Sequence, residues 1–232
     1  MCGRFTLTST PEQLAERFGL DEPPQTAPRY NIAPGQEVLA IRVASGTSKR
    51  VAVYPRWGLV PSWAESAAIG ARMINARVET VTEKPAFRAA FRARRCLVPA
   101  DGFYEWAGRR GHKQAYHVGL RDGGPFAFAG LWERWVDPSG EALESCTLLT
   151  REALASIRTL HDRMPVILDP AAYAAWLDPE CEDPAALLPL LEPPPGERLL
   201  FHPVSDRVND VRFDDAACIA PAPEKPRQDA LF

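Results

Sequence analysis

An α+β fold, built on a curved antiparallel sheet or small β-barrel with flanking short helices, is predicted by three features of the sequence. Apolar and polar residues alternate through 37–57, 95–149 and 199–204, the period of half-buried strands. Gly- and Asp-containing turns such as GRRGHK, RDGGP and DPSGE separate the middle runs. The 23 prolines in 232 residues keep helices short.

The elements follow in order. Thr10-Pro11-Glu12-Gln13 starts a helix that ends near Gly19: Thr caps, Pro fits the first turn, and Gln13 completes a capping box. RYNIAPGQ (29–36) reads as a turn-rich connection, and EVLAIRV and RVAVYPRW as a hairpin around ASGTSK. MINARVET (73–80) alternates as a strand, with Asn75, Arg77 and Glu79 on one face. KPAFRAAFRARR (84–95) reads as a helix with Phe87 and Phe91 on one side and Arg88, Arg92 and Arg95 on another. RCLVPA, GFYEWA, QAYHVGL, PFAFAGLWERW and ALESCTLLT read as an antiparallel meander. Asp169-Pro170 and Asp183-Pro184 each cap a short helix, and LLFHPVS is a late strand. One domain is expected over 1–219, with 220–232 a proline-rich flexible tail.

Composition excludes several classes. No apolar run approaches the roughly 18 residues of a membrane span, and no basic segment followed by an apolar core opens the chain; a cytoplasmic protein is expected. A net charge of −3 requires any nucleic-acid binding to be local. Five cysteines, at 2, 96, 146, 181 and 218, form no C-x-x-C pair, and the four histidines are dispersed. Neither disulfide framework, metal site nor cofactor motif is indicated.

Cys2 is the most informative residue. Removal of Met1 would leave a thiol and an α-amine on adjacent carbons, the amine titrating near ~8. With an aldehyde, the amine forms a Schiff base and the thiol closes a thiazolidine in an intramolecular step. The alternative is a cysteine buried in a first strand. Glu105, among the aromatics of ADGFYEW, can have its pKa raised into the range of a proton donor, or be an outward carboxylate of a strand. His161 of HDRMPVIL is an acid/base or a helix-end cap.

In this order, MCGRF, YNIAPG, WGLVPSW, INARVET, ADGFYEW, HDRMPVIL and HPVS resemble the SOS response-associated peptidase (SRAP) family, over roughly residues 1 to 215. The resemblance implies that Cys2 crosslinks, as a thiazolidine, to the ring-opened aldehyde of an abasic site in single-stranded DNA. It also implies that Asn75 orients cysteine and sugar, that Glu105 moves protons, and that His161 is a second proton carrier. Arg4 and Arg77 match positions that look like phosphate contacts. Pro34 and Trp63 offer a wedge or stacking surface, whereas Trp57 reads as core. The basic 84–95 stretch matches no motif and is a solvated face or a weaker DNA contact. The word peptidase is taken to mean self-removal of Met1 at most. The resemblance further implies a monomer without membrane contact, nucleoid-associated at damage. Gln228, Leu231 and Phe232 look like a Q-x-x-L-F peptide for the sliding clamp.

Two rivals come from other classes. Class II glutamine amidotransferases also begin Met-Cys-Gly, but their likeness ends at Gly3. A non-catalytic single-strand binder would keep its DNA affinity without Cys2.

Overall fold

The computed structural model describes residues 2–109, 112–193 and 199–223. The chain opens on β1 (Phe5–Leu7) and α1 (Pro11–Phe18), then β2 (Arg29–Ile32), the hairpin strands β3 (Ala40–Val43) and β4 (Arg50–Val53), β5 (Arg56–Trp57) and β6 (Asn75–Arg77). After α2 (Arg88–Ala93) come β7 (Arg95–Ala100), β8 (Gly102–Ala107), β9 (Gln114–Leu120), β10 (Phe126–Val136) and β11 (Ala142–Glu152). α3 (Ala155–Arg158), β12 (Arg163–Pro165), β13 (Ile167–Leu168), α4 (Tyr173–Leu177), α5 (Pro184–Leu187) and β14 (Leu199–Val204) follow. The clamp-like residues Gln228, Leu231 and Phe232 lie outside the described residues.

These strands form two sheets, ordered β14-β9-β8-β1-β2 and β12-β11-β10-β7-β3-β4, with β13 added on β10 and β5 and β6 on β11. The fold is α+β with curved antiparallel sheets. It is not closed into a barrel, and the two additions β5 and β6 run parallel to β11.

Local chemistry sets several elements as expected. Thr10 and Gln13 form the reciprocal capping box of α1, and Gly19 ends it at φ 65°, a left-handed conformation natural to glycine. Asp169 and Asp183 each accept the backbone N–H two residues on.

Four expectations are corrected. The 95–149 strands are no single meander: β7, β10 and β11 lie in one sheet and β8 and β9 in the other. The chain changes sheet at Asp101-Gly102, where a Cβ on Gly102 would stand 2.3 Å from His117 Nε2 and 2.8 Å from Val118 O. Only glycine fits that corner. Residues 29–32 are not a connection but a strand, because β1 supplies a long-range partner, Phe5 opposite Ile32. The strand in 73–80 stops at Arg77, and 78–80 coil into a 3-10 turn. The helix in 84–95 shrinks to Arg88–Ala93, since Lys84 to Phe87 form a turn and Arg95 already opens β7.

The main core lies between sheets and helices. Phe5 packs edge-on against Trp57 and Phe128, with ring centroids 5.2 and 5.7 Å away. Such contacts add to the roughly 1.5–3 kcal/mol of burying each large apolar side chain. Phe5 therefore anchors the segment that carries Cys2.

Candidate active site

The N-terminal segment is held from both sides. β1 lies between β8 and β2, and Tyr104 N donates to Arg4 O at 3.0 Å and Asp101 N to Thr6 O at 2.8 Å. Just after β1, the Asp101 carboxylate accepts from Thr8 N, from Thr8 Oγ1 at 3.0 Å, from Ser9 N at 2.9 Å and from Ser9 Oγ at 2.6 Å. A chain end tied down in this way does not fray.

Cys2 is fully buried, and its thiol donates to Arg4 O at 3.6 Å. Burial, and then the nearby Glu105 carboxylate, push the thiol pKa far up, so the sulfur is a thiol rather than a thiolate. Asn75 Nδ2 donates to Cys2 O at 2.8 Å. Asn75 Oδ1 is buried and has no hydrogen-bond partner among the described residues. An amide with one arm on the cysteine and a dry acceptor is suited to take a donor from a bound molecule.

The position of Asn75 comes from β11 and from Trp57. β6 runs parallel to β11 with Asn75 opposite Leu148, and Trp57 Nε1 donates to Ile74 O at 2.9 Å. Trp57 is 1% exposed, which places it in the core as expected. Its carbonyl accepts from Gly35 N at 2.8 Å, fixing the turn of half-buried Pro34. Leu59 N donates to Met73 O at 3.2 Å, so WGLVPSW and INARVET are stitched together. Trp63, beyond that stitch, is 60% exposed.

Glu105 stands on β8 opposite Tyr116 and is 2% exposed. Burial pushes its carboxyl up to about 7, against the opposing pull of the Trp106 backbone N–H and of Lys113. A group with a pKa near the working pH can both give and take a proton. His161 is half-buried, and burial lowers its pKa. Lys113 adds a small lowering of the pKa of both Glu105 and His161.

The two arginines differ. Arg77 is exposed, and its side chain has no hydrogen-bond or ion-pair partner among the described residues. Arg4 is half-buried: Nη1 donates to Asn31 Oδ1 at 2.7 Å and to Val208 O at 2.6 Å, and Nη2 to Asn209 O at 3.4 Å. Asn31 Nδ2 in turn donates to the carbonyls of Val208, Asp210 and Phe213. Arg4 and Asn31 thus pin the 208–213 segment beside β2.

Sequence reasoning missed Lys113, Asp101 and Asn31. Lys113 sits in GRRGHK, whose composition reads only as a turn. Asp101 and Asn31 act through partners about ninety and more residues away, which no local pattern signals. Glu79 was grouped with Arg77, yet its carboxylate pairs with Arg163.

The model of the family described as SOS response associated peptidase (SRAP) matches residues 1–211. Over 213 residues the chain is 41% identical to the abasic site processing protein YoqW of Bacillus subtilis (strain 168), covering 90% of this chain and 94% of that one. It is 31% identical over 265 residues to the abasic site processing protein HMCES of Xenopus tropicalis, covering 95% and 78%. A crystal structure of a Bacteroides thetaiotaomicron protein shares the fold with a TM-score of 0.84 at 24% identity, covering 95% of this chain and all of that one. One from Bordetella bronchiseptica has a TM-score of 0.76 at 28% identity, covering 88% and 100%. With a match that runs from residue 1 through β14, the chain belongs to the SOS response associated peptidase family.

Proposed function

We propose that this protein processes abasic sites in single-stranded DNA by forming a thiazolidine crosslink through Cys2, after Met1 has been removed. The observation that carries this reading is the hydrogen bond from Asn75 to the Cys2 carbonyl, beside a carboxyl, Glu105, whose pKa is near neutrality.

The chemistry balances without a cofactor. The Cys2 α-amine adds to the C1′ aldehyde of the opened sugar and one water leaves, giving an imine. The Cys2 S–H then adds across C=N: sulfur bonds to carbon, and the proton goes to nitrogen. The order follows from the raised thiol pKa: a buried neutral thiol is a poor first nucleophile, so the amine attacks first and proximity brings in the sulfur. Glu105 supplies the proton that water needs to leave and relays the thiol proton to the nitrogen. Asn75 orients the cysteine and the sugar, and His161 acts at the sugar oxygen during ring opening and in the reverse reaction.

Arg77 and Arg4 contact phosphates, and Pro34 and exposed Trp63 hold the splayed bases at the lesion. Arg77 is the stronger contact, because its guanidinium is open to solvent. Self-removal of Met1 accounts for the word peptidase. The protein works as a cytoplasmic monomer, and Gln228, Leu231 and Phe232 attach it to the sliding clamp.

Intact mass after incubation with a short abasic oligonucleotide tests the reading. Wild type should gain one oligonucleotide less one water, and Cys2→Ala should gain nothing. An adduct on Cys2→Ala, or none on wild type, removes it.

A further inference from the structure

One side chain bridges the two segments that carry Asn75 and His161. At Thr150, β11 has β6 on one edge, with Arg77 opposite, and β12 on the other, with Pro165 opposite. Arg163 of β12 reaches across: its Nη2 donates to Thr150 O at 2.6 Å. Its guanidinium then grips Glu79 in a bidentate pair, Nη1 to Oε1 at 2.5 Å and Nη2 to Oε2 at 2.9 Å. Glu79 lies two residues past the end of β6. The Arg163 side chain is only 13% exposed, and two parallel bonds to one carboxylate fix direction as well as distance. The pair is therefore a brace across β11.

The same residue sets the histidine. The backbone N–H of Arg163 donates to His161 Nδ1 at 2.9 Å. A peptide N–H can only donate, so Nδ1 must offer its lone pair, and the neutral ring carries its proton on Nε2. A proton on Nδ1 would set two N–H groups against each other. A ring with its acceptor already engaged and its proton at Nε2 is made to donate a hydrogen bond, and is poorly made to pick up a proton and pass it on.

We infer that Glu79 and Arg163 are positioning residues that hold His161 as its Nε2–H tautomer, so that it donates a hydrogen bond to the sugar oxygen while Glu105 moves the protons. For its chemistry, though not for the tautomer, this rests on the abasic-site reading above, and it replaces a proton carrier by a fixed donor.

Two measurements test it. Nitrogen NMR of histidine-labelled wild type at neutral pH should show His161 protonated at Nε2 and bare at Nδ1. Glu79→Gln and Arg163→Lys should each populate both tautomers and crosslink abasic DNA about tenfold more slowly, with binding of undamaged single strand unchanged. Wild-type His161 protonated at Nδ1 overturns the inference. So do Glu79→Gln and Arg163→Lys proteins that keep both the wild-type tautomer and the wild-type rate. Should wild type form no adduct at all, the proposed function fails, while the wild-type spectrum still decides the tautomer.

Discussion

The Asn75 side-chain amide donates to the Cys2 carbonyl at 2.8 Å, joining a strand on β11 to the chain's first residues across the interface between the two sheets. Asn75→Ala should slow crosslinking by about ten- to a hundredfold, because small misplacement of a nucleophile is costly. The loss of one hydrogen bond should lower stability by only about 1 kcal/mol. Denaturing gels against time and a thermal melt separate the two effects. Equal losses in wild-type-like and lesion-free DNA binding would instead assign Asn75 to strand binding.

Glu105 should make the fold less stable as pH rises. Its carboxyl is raised from 4.5 to about 7 in the folded chain, so between those values the folded state binds more protons than the unfolded one. Stability is thus greatest below the unfolded pKa and falls as pH climbs through the folded one. Glu105→Gln should be stabilised above neutrality by up to about 3 kcal/mol, and should lose most crosslinking. Melting temperatures of both proteins across this range check the sign.

His117 works in the opposite direction. It contacts Thr6 Oγ1 at 3.2 Å and faces His202 at 5.5 Å between ring centroids, and burial pushes its pKa down from 6.5 to about 4. The unfolded chain therefore binds the extra proton in this window, and stability is lost as pH falls through it. His117→Gln should flatten the acid limb of the stability curve, which chemical denaturation at several pH values would reveal.

Asp101→Ala should destabilise by roughly 2–4 kcal/mol, since the donors of Thr8 and Ser9 lose their shared acceptor and part of them stays buried. Asp101→Asn should recover a portion. A denaturant midpoint without change in slope is the expected signature.

Trp63→Ala should leave stability within about 0.5 kcal/mol, as an exposed residue does, while weakening single-strand binding by about 1–3 kcal/mol. Arg77→Ala should lower the salt dependence of binding by about 0.7 in log-log slope. Fluorescence anisotropy at several salt concentrations, with Cys2→Ala to prevent crosslinking, reads both.

Local chemistry was legible where it is self-contained. The Thr10–Gln13 capping box, the Gly19 stop and the Asp-Pro helix starts need no distant partner, and the β3–β4 hairpin and the β7 to β11 runs follow from alternation. What alternation does not encode is which sheet a strand joins. The switch at Gly102 depends on His117 and Val118 crossing close by, and β2 exists because β1 lies beside it. The site shows the same division. Asn75, Glu105 and His161 were singled out from their motifs, and Trp57 was rightly assigned to the core. The Arg163–Glu79 brace spans 84 positions, and only the packed sheet brings its halves together.

The placement of β1 between β8 and β2 has a kinetic meaning. Terminal amides ordinarily exchange with solvent almost at once, yet those of Phe5 and Thr6 belong to a strand that cannot peel away unless two neighbours also let go. Their deuterium uptake should follow global opening, so the segment that carries Cys2 lasts as long as the whole molecule does.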